Sequence, residues 1–326
     1  MHNTVTGPFF AIYYPVFAAV AVPANLMAIV ILARGRCGLS RCISLYLLSM
    51  AVTDLLVVIT AVILNRIRGI YFPVNFLTRT RGCSITAVVT YGARDSSVWL
   101  TVAFTFDRYI AICCQKLKTD YCQAKTATIL IGIICSLGVA KNIPCYFMYE
   151  PLYIINNVGW FCRIKDVFYI SPGWAAFDWL DRIVTPFLPF VLMVLLNALT
   201  IRNILSANRA RKRLRNKSKG DKQSDSEVEN RKKSIVLLMS ISGSFLLLWT
   251  TYVVNVFYVR FTKGLYFEGS NYNDPRFILQ ESGYMCLLCS CCTNTCIYVG
   301  TQRKFREELK GAVKYPYGKI RKLVKI

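Results

Sequence analysis

FFAIYYPVFAAVAVPANLMAIVILA, residues 9–33, contains no charged side chain. A helix needs about 20 mostly apolar residues to cross the hydrocarbon of a bilayer, and this stretch supplies them unaided. Six comparable runs follow. Residues 42–65 carry only Asp54, residues 82–106 carry Arg94 and Asp95, and residues 126–149 carry Lys141. Residues 183–201 and 234–259 are uncharged, and residues 277–300 contain Glu281 alone. With 55% hydrophobic residues in 326, the pattern predicts an all-α membrane protein, a seven-transmembrane helix bundle within residues 1–310.

An odd number of spans puts the termini on opposite faces. The linkers after spans one, three, five and seven hold more than twice the lysine and arginine of the alternate set, which begins with the uncharged residues 1–8. The positive-inside bias therefore places the N-terminus outside and the C-terminus in the cytoplasm. The first span is too long for the apolar core of a cleavable leader and no basic segment precedes it, so it is expected to act as its own anchor. The net charge of +23 lies in loops flanking the spans, where anionic inner-leaflet lipid and a cytoplasmic protein explain it better than nucleic acid does.

Residues 207–233 form a basic third cytoplasmic loop, expected to be partly disordered, and residues 311–326 a short basic tail. Phe305 and Leu309 stand four apart amid charges, the spacing of a short amphipathic helix lying along the membrane after the seventh span. Residues 149–181 make the longest outer loop, rich in aromatics and expected to fold over the bundle mouth. No internal repeat pairs the two halves, which argues against a transporter built on inverted repeats. No loop has room for an enzyme domain.

SVWLTVAFTFDRYIAIC, residues 97–113, ends the third span on Asp107-Arg108-Tyr109, and it has companions in the other spans: Asn25, Asp54, Phe245, Trp249, Asn294 and Tyr298. Together these resemble the rhodopsin-like (class A) G-protein-coupled receptors over residues 9–310. Within that class the chain looks most like the orphan receptors that sense aromatic amino acids and their FMRFamide-receptor-like relatives. The shared features are a fourth span without tryptophan, Ile143-Pro144 followed by Tyr146, the spacing of Pro189 and Asn197, and Asn294 with no proline after it. Thr251 and Thr295 stand where the family usually has prolines, Asn197 where a tyrosine is common, and Gln115 where the second inner loop has proline. The bending of helices six and seven must then use other hinges.

The resemblance implies a plasma-membrane receptor that binds a small organic or short-peptide agonist from outside and activates a heterotrimeric G protein, with arrestin and membrane lipid as further partners. It implies an activation switch in Asp107, Arg108, Tyr109, Asn197, Phe245, Trp249, Asn294 and Tyr298, and a disulfide between Cys83 and Cys162. It also implies a sodium ion or water cluster at Asp54, completed by Ser97, Ser290 and Asn294; the plainer alternative is a protonated acid in a polar network, since a lone carboxylate is costly in lipid. Arg108 either serves the switch, released when helix six swings out, or merely snorkels beside Asp107. Many relatives place an acid at the inner end of helix six to hold that arginine. Here Arg231 occupies the position, followed by Lys232 and Lys233, so repulsion and agonist-independent signalling are expected.

Arg94 lies 14 residues before Arg108, close to the same helical face, with Thr90 and Ser97 on that stripe. It is expected to meet either a ligand carboxylate or an internal acid, namely Asp178, Asp181 or Glu281. Tyr91, Trp249, Tyr252 and Tyr284 add aromatic surface to this pocket, and Arg66, Arg68, Arg79 and Arg81 form a basic rim that either steers an acidic ligand or touches headgroups. Cys289, Cys292 and Cys296 share a helical face, but cysteine is also a small apolar residue at home in membrane helices, and no metal is expected. The rival readings are a seven-span transporter or channel, which would want charges along a continuous path, and a non-signalling receptor-like scaffold.

Overall fold

The structure, a computed structural model, describes residues 8–215, 225–262 and 273–312, without the side chains of residues 169, 208, 210–231 and 260. The side chain of Arg231, on which the expected repulsion of Arg108 depends, is among these and lies outside the described residues.

Seven long helices form the bundle: α1 (Pro8–Ala33), α2 (Arg41–Tyr71), α3 (Thr80–Cys113), α4 (Ala124–Met148), α5 (from Pro172), α6 (Asp225–Phe261) and α7 (Pro275–Thr301). An eighth, α8, covers 303–312. In α1, Phe10, Tyr14, Phe17, Ala21, Asn25 and Ala28 recur every three or four residues and are buried, whereas Ile12, Val16 and Val20 point away from the protein and are exposed. An apolar outward face beside a fully hydrogen-bonded backbone is what a lipid solvent selects. Six of the helices are apolar enough to cross a membrane by composition alone. The exception, α3, is long enough at 34 residues but carries Arg94, Asp95, Asp107 and Arg108. Its central place in the bundle makes this tolerable, because each of these charges meets an opposite charge on the protein.

Two irregular turns re-aim side chains. In α2, Val58–Ile67 widens into a π-helical segment, and in α5 the same happens at Ile183–Phe187, with Thr185 off helical geometry before Pro186. A wide turn changes which face the next residues present. It brings Arg66 and Arg68 inward, to 7% and 9% exposure. These two residues therefore do not belong to a basic rim, as the sequence led us to expect.

The fifth helix begins at Pro172, earlier than hydropathy indicates, so Asp178 and Asp181 are helical and not part of the preceding loop. That loop folds into a hairpin, β2 (Tyr153–Ile155) on β3 (Val158–Trp160), turning through Asn156 and Asn157 at φ 49° and 58°. Two residues of positive φ make the turn that matches strand twist, and asparagine tolerates it. Flanking it, β1 (Tyr149–Glu150) pairs with β4 (Arg163–Ile164). The Cys83–Cys162 disulfide ties this cap to the start of α3.

Two glycines set the approach of α3 and α4. A Cβ on Gly138 would meet Ser96 Oγ at 2.5 Å and Gly92 O at 3.2 Å. Small residues allow membrane helices to close on each other, and here the approach carries Lys141 and Asn142 to Asp95. At the opposite end of the bundle, Phe305 of α8 is fully buried against Tyr298 of α7, with ring centroids 5.7 Å apart, so the amphipathic spacing is realised as a docked helix.

Candidate ligand cavity and polar network

Three polar layers run through the bundle. The layer under the hairpin surrounds a cavity of about 150 Å³ lined by α2 to α7 and the hairpin's base. Thr90, Tyr91, Arg94, Asp178, Asp181 and Tyr252 all border it. Trp249 and Glu281, expected there, do not: Trp249 lies deeper, and Glu281 turns towards α2.

Arg94 reaches Asp95 with Nε and Nη2 at 3.2 and 3.1 Å, stacks on Tyr91 at 5.0 Å and approaches Asp181 at 3.9 Å. The other carboxylate oxygen of Asp95 accepts from Asn142 and from Lys141, each at 2.7 Å. Lys141 also meets Asp181 at 2.5 Å, and Arg182 meets Asp178 at 3.3 Å and Asp181 at 3.8 Å. Three cations thus interlock with three carboxylates across α3, α4 and α5. Arg94 forms the internal ion pair, with Asp95 as its first partner and Asp181 beyond it. Lys141, Asn142 and Arg182 were missed as site residues. The available signal was the rule that an intramembrane charge needs a partner, applied to Lys141 as well as to Arg94.

A second pair closes the α2–α7 side. Arg66 Nη2 binds Glu281 Oε1 at 3.2 Å, Tyr14 donates to Oε2 at 3.4 Å, and the guanidinium lies 4.8 Å from the centre of the Tyr284 ring. Glu281 is therefore satisfied by Arg66, not by Arg94.

The middle layer is a cavity of about 20 Å³ bordered by Asp54, Arg94, Ser97, Phe245, Trp249, Ser290 and Asn294. Ser97 donates to Asp54 Oδ1 at 2.5 Å and Asn294 to Oδ2 at 2.9 Å. Ser290 instead accepts from the Trp249 indole at 3.1 Å while its own hydroxyl turns to Leu287 O. The Phe245 and Trp249 rings stack at 4.8 Å. Arg94 borders both cavities.

At the far end, Arg108 pairs with Asp107, whose other oxygen accepts from the Cys42 thiol at 3.2 Å. Both charged residues are buried, so Arg108 does not snorkel into solvent. Ser242 of α6 donates to Asn197 of α5 at 2.9 Å, and Tyr298 is buried with its hydroxyl unbonded among the described residues.

The family model for the 7 transmembrane receptor (rhodopsin family) matches residues 24–298. The chain belongs to the rhodopsin family of seven-transmembrane receptors. As a rhodopsin-family receptor it is not an enzyme, and it is a multi-pass protein of the plasma membrane. It is similar to the C-C chemokine receptor type 1 of Macaca fascicularis, 23% identical over 91% of this chain and 77% of that receptor. It also resembles two Drosophila melanogaster proteins: the sex peptide receptor, 22% identical over 93% of this chain and 72% of the other, and the FMRFamide receptor, 26% identical over 58% and 36%.

Proposed function

We propose that this receptor binds a small organic or short-peptide agonist in the 150 Å³ cavity and activates a heterotrimeric G protein through the Asp107–Arg108 end. The observation that carries the reading is the position of Arg94, which borders both the ligand cavity and the layer holding Asp54 and Trp249. A ligand that shifts the Arg94 network alters the wall against which Trp249 and Phe245 pack. That gives it different contacts in two helical arrangements, which is what a population shift requires. The hairpin end faces outside and the basic linkers face the cytoplasm, on the positive-inside argument. The names of the relatives carry a chemokine, FMRFamide and a sex peptide, which supports peptide chemistry for the agonist.

The cavity beside Asp54 suits a sodium ion in size and donor type, with Asp54, Ser97, Ser290 and Asn294 among the oxygen-bearing side chains around it. When bound, the ion would supply positive charge against the buried carboxylate. Arrestin is the second cytoplasmic partner in this reading.

The test is guanine-nucleotide exchange on purified heterotrimers by the receptor in lipid nanodiscs, screened with a peptide and small-molecule panel. Agonist-stimulated exchange that disappears in Arg108→Ala is expected. No exchange with any G-protein class, agonist present or absent, would instead leave a non-signalling scaffold.

A further inference from the structure

Four arginines border the ligand cavity: Arg66, Arg68, Arg94 and Arg182. Three of them have a carboxylate within 4 Å, supplied by Glu281, by Asp95 and Asp181, and by Asp178 and Asp181 respectively. Arg68 has none among the described residues. Its Nε donates to Leu64 O at 2.5 Å and its Nη1 to Asn75 Oδ1 at 3.3 Å, both neutral acceptors. Arg68 is 9% exposed, and its second terminal nitrogen has no acceptor among the described residues. With Lys141 included, the described residues of the polar layer hold five cations and four carboxylates, and among them the surplus charge falls on Arg68. A buried guanidinium without a counter-ion is costly, and an anion entering the cavity relieves that cost.

We propose that Arg68 is an anion subsite of the ligand cavity and that the ligand presents a carboxylate to it. This rests on the cavity being the agonist site and names the chemistry of one part of the agonist. A carboxylate matches the planar fork of a guanidinium, and the neighbouring Tyr149, Phe168, Phe177 and Tyr284 provide an apolar wall for the rest of the molecule. Arg94 does not compete for this role, because Asp95 already occupies its fork. Two sources share the chemistry, a small organic acid and the free C-terminus or acidic side chain of a peptide.

Binding is measured on the full-length receptor in nanodiscs of phosphatidylcholine alone, so that no anionic headgroup competes. Two probe pairs are used: 2-naphthoate against 2-naphthamide, and an N-acetylated dipeptide acid against its amide, each titrated to its solubility limit. In at least one pair the acid is expected to bind about tenfold or more tightly than the amide. That preference should vanish in Arg68→Gln and survive in part in Arg68→Lys. Asn75→Asp keeps the guanidinium but gives it an internal carboxylate, and should also abolish the preference. The pair that discriminates names the source. No preference in either pair, or a preference unchanged in both Arg68→Gln and Asn75→Asp, overturns the proposal and leaves Arg68 as a cation closing the end of α2. Nucleotide exchange in the same nanodiscs reports on the receptor reading separately, so either idea can fail without the other.

Discussion

Breaking the Arg66–Glu281 pair is the most quantitative test of the network. At 3.2 Å and an effective dielectric of 20, the two charges attract by about 5 kcal/mol before desolvation is counted. Desolvation removes much of that gain from the intact pair, yet leaving either charge alone costs about 3–5 kcal/mol, because the survivor stays buried without a partner. Arg66→Leu and Glu281→Leu should each therefore destabilise strongly. The double variant should be far milder, losing mainly the Tyr14 hydrogen bond, worth about 1 kcal/mol, and the stacking of Arg66 on Tyr284. The assay is the fraction of detergent-purified receptor that stays monodisperse after heating, run as a double-mutant cycle. A double variant as damaged as the two singles combined, with coupling near zero, would refute the buried-pair argument.

Arg94→Leu should lower surface expression by exposing Asp95, and Asp95→Asn should restore part of it; wild-type surface labelling of Arg94→Leu would count against the network. Gly138→Val should lose about 1–3 kcal/mol by driving α4 off Ser96 and Gly92, whereas Gly132→Val, with open space around its Cβ position, is the neutral control in the same heating assay. Peptide mapping of the inserted receptor should find Cys83 and Cys162 linked, and Cys83→Ala should reduce its surface level; two free thiols would contradict the cap described above. If sodium occupies the Asp54 cavity, exchanging it for choline should change basal nucleotide exchange in wild type and leave Asp54→Asn unmoved; equal sensitivity in both would exclude that site.

The seven spans were legible because lipid rewards long apolar runs, and the local pairing of Asp107 with Arg108 was readable from adjacency. What hydropathy hid was the first part of α5. Asp178 and Asp181 were named as acids for Arg94 although the apolar run begins only at Ile183, while Arg182 was missed, since a window cannot see that its partners lie within the same helix and beside α3. Lys141 looked like an isolated charge for the same reason. Arg66 and Arg68 were assigned to an outer rim because the apolar run stops at Asn65, whereas the helix continues to Tyr71 through the π-helical segment. Of the residues that the sequence grouped with Asp54, Ser97 and Asn294 bond to it directly, whereas Ser290 has its bonds elsewhere, one of them to Trp249.

The ion network also bears on how the chain is made. Arg94, Asp95 and Lys141 leave the α3–α4 hairpin with one net positive charge, while Asp178, Asp181 and Arg182 leave α5 with one net negative charge. Neither piece is comfortable in hydrocarbon by itself, and each carries the complement of the other. Within the α3–α4 pair, which closes at Gly92 and Gly138, Arg94 and Lys141 share the single carboxylate of Asp95 until Asp181 of α5 joins them. The expected consequence is that this surplus charge helps to hold the start of α5 in the bilayer, against the pull of its own carboxylates towards water. A Lys141→Met chain would release α5 prematurely, and its lesion would be an error of topology during biosynthesis, visible as altered glycan-tag accessibility before any ligand is added.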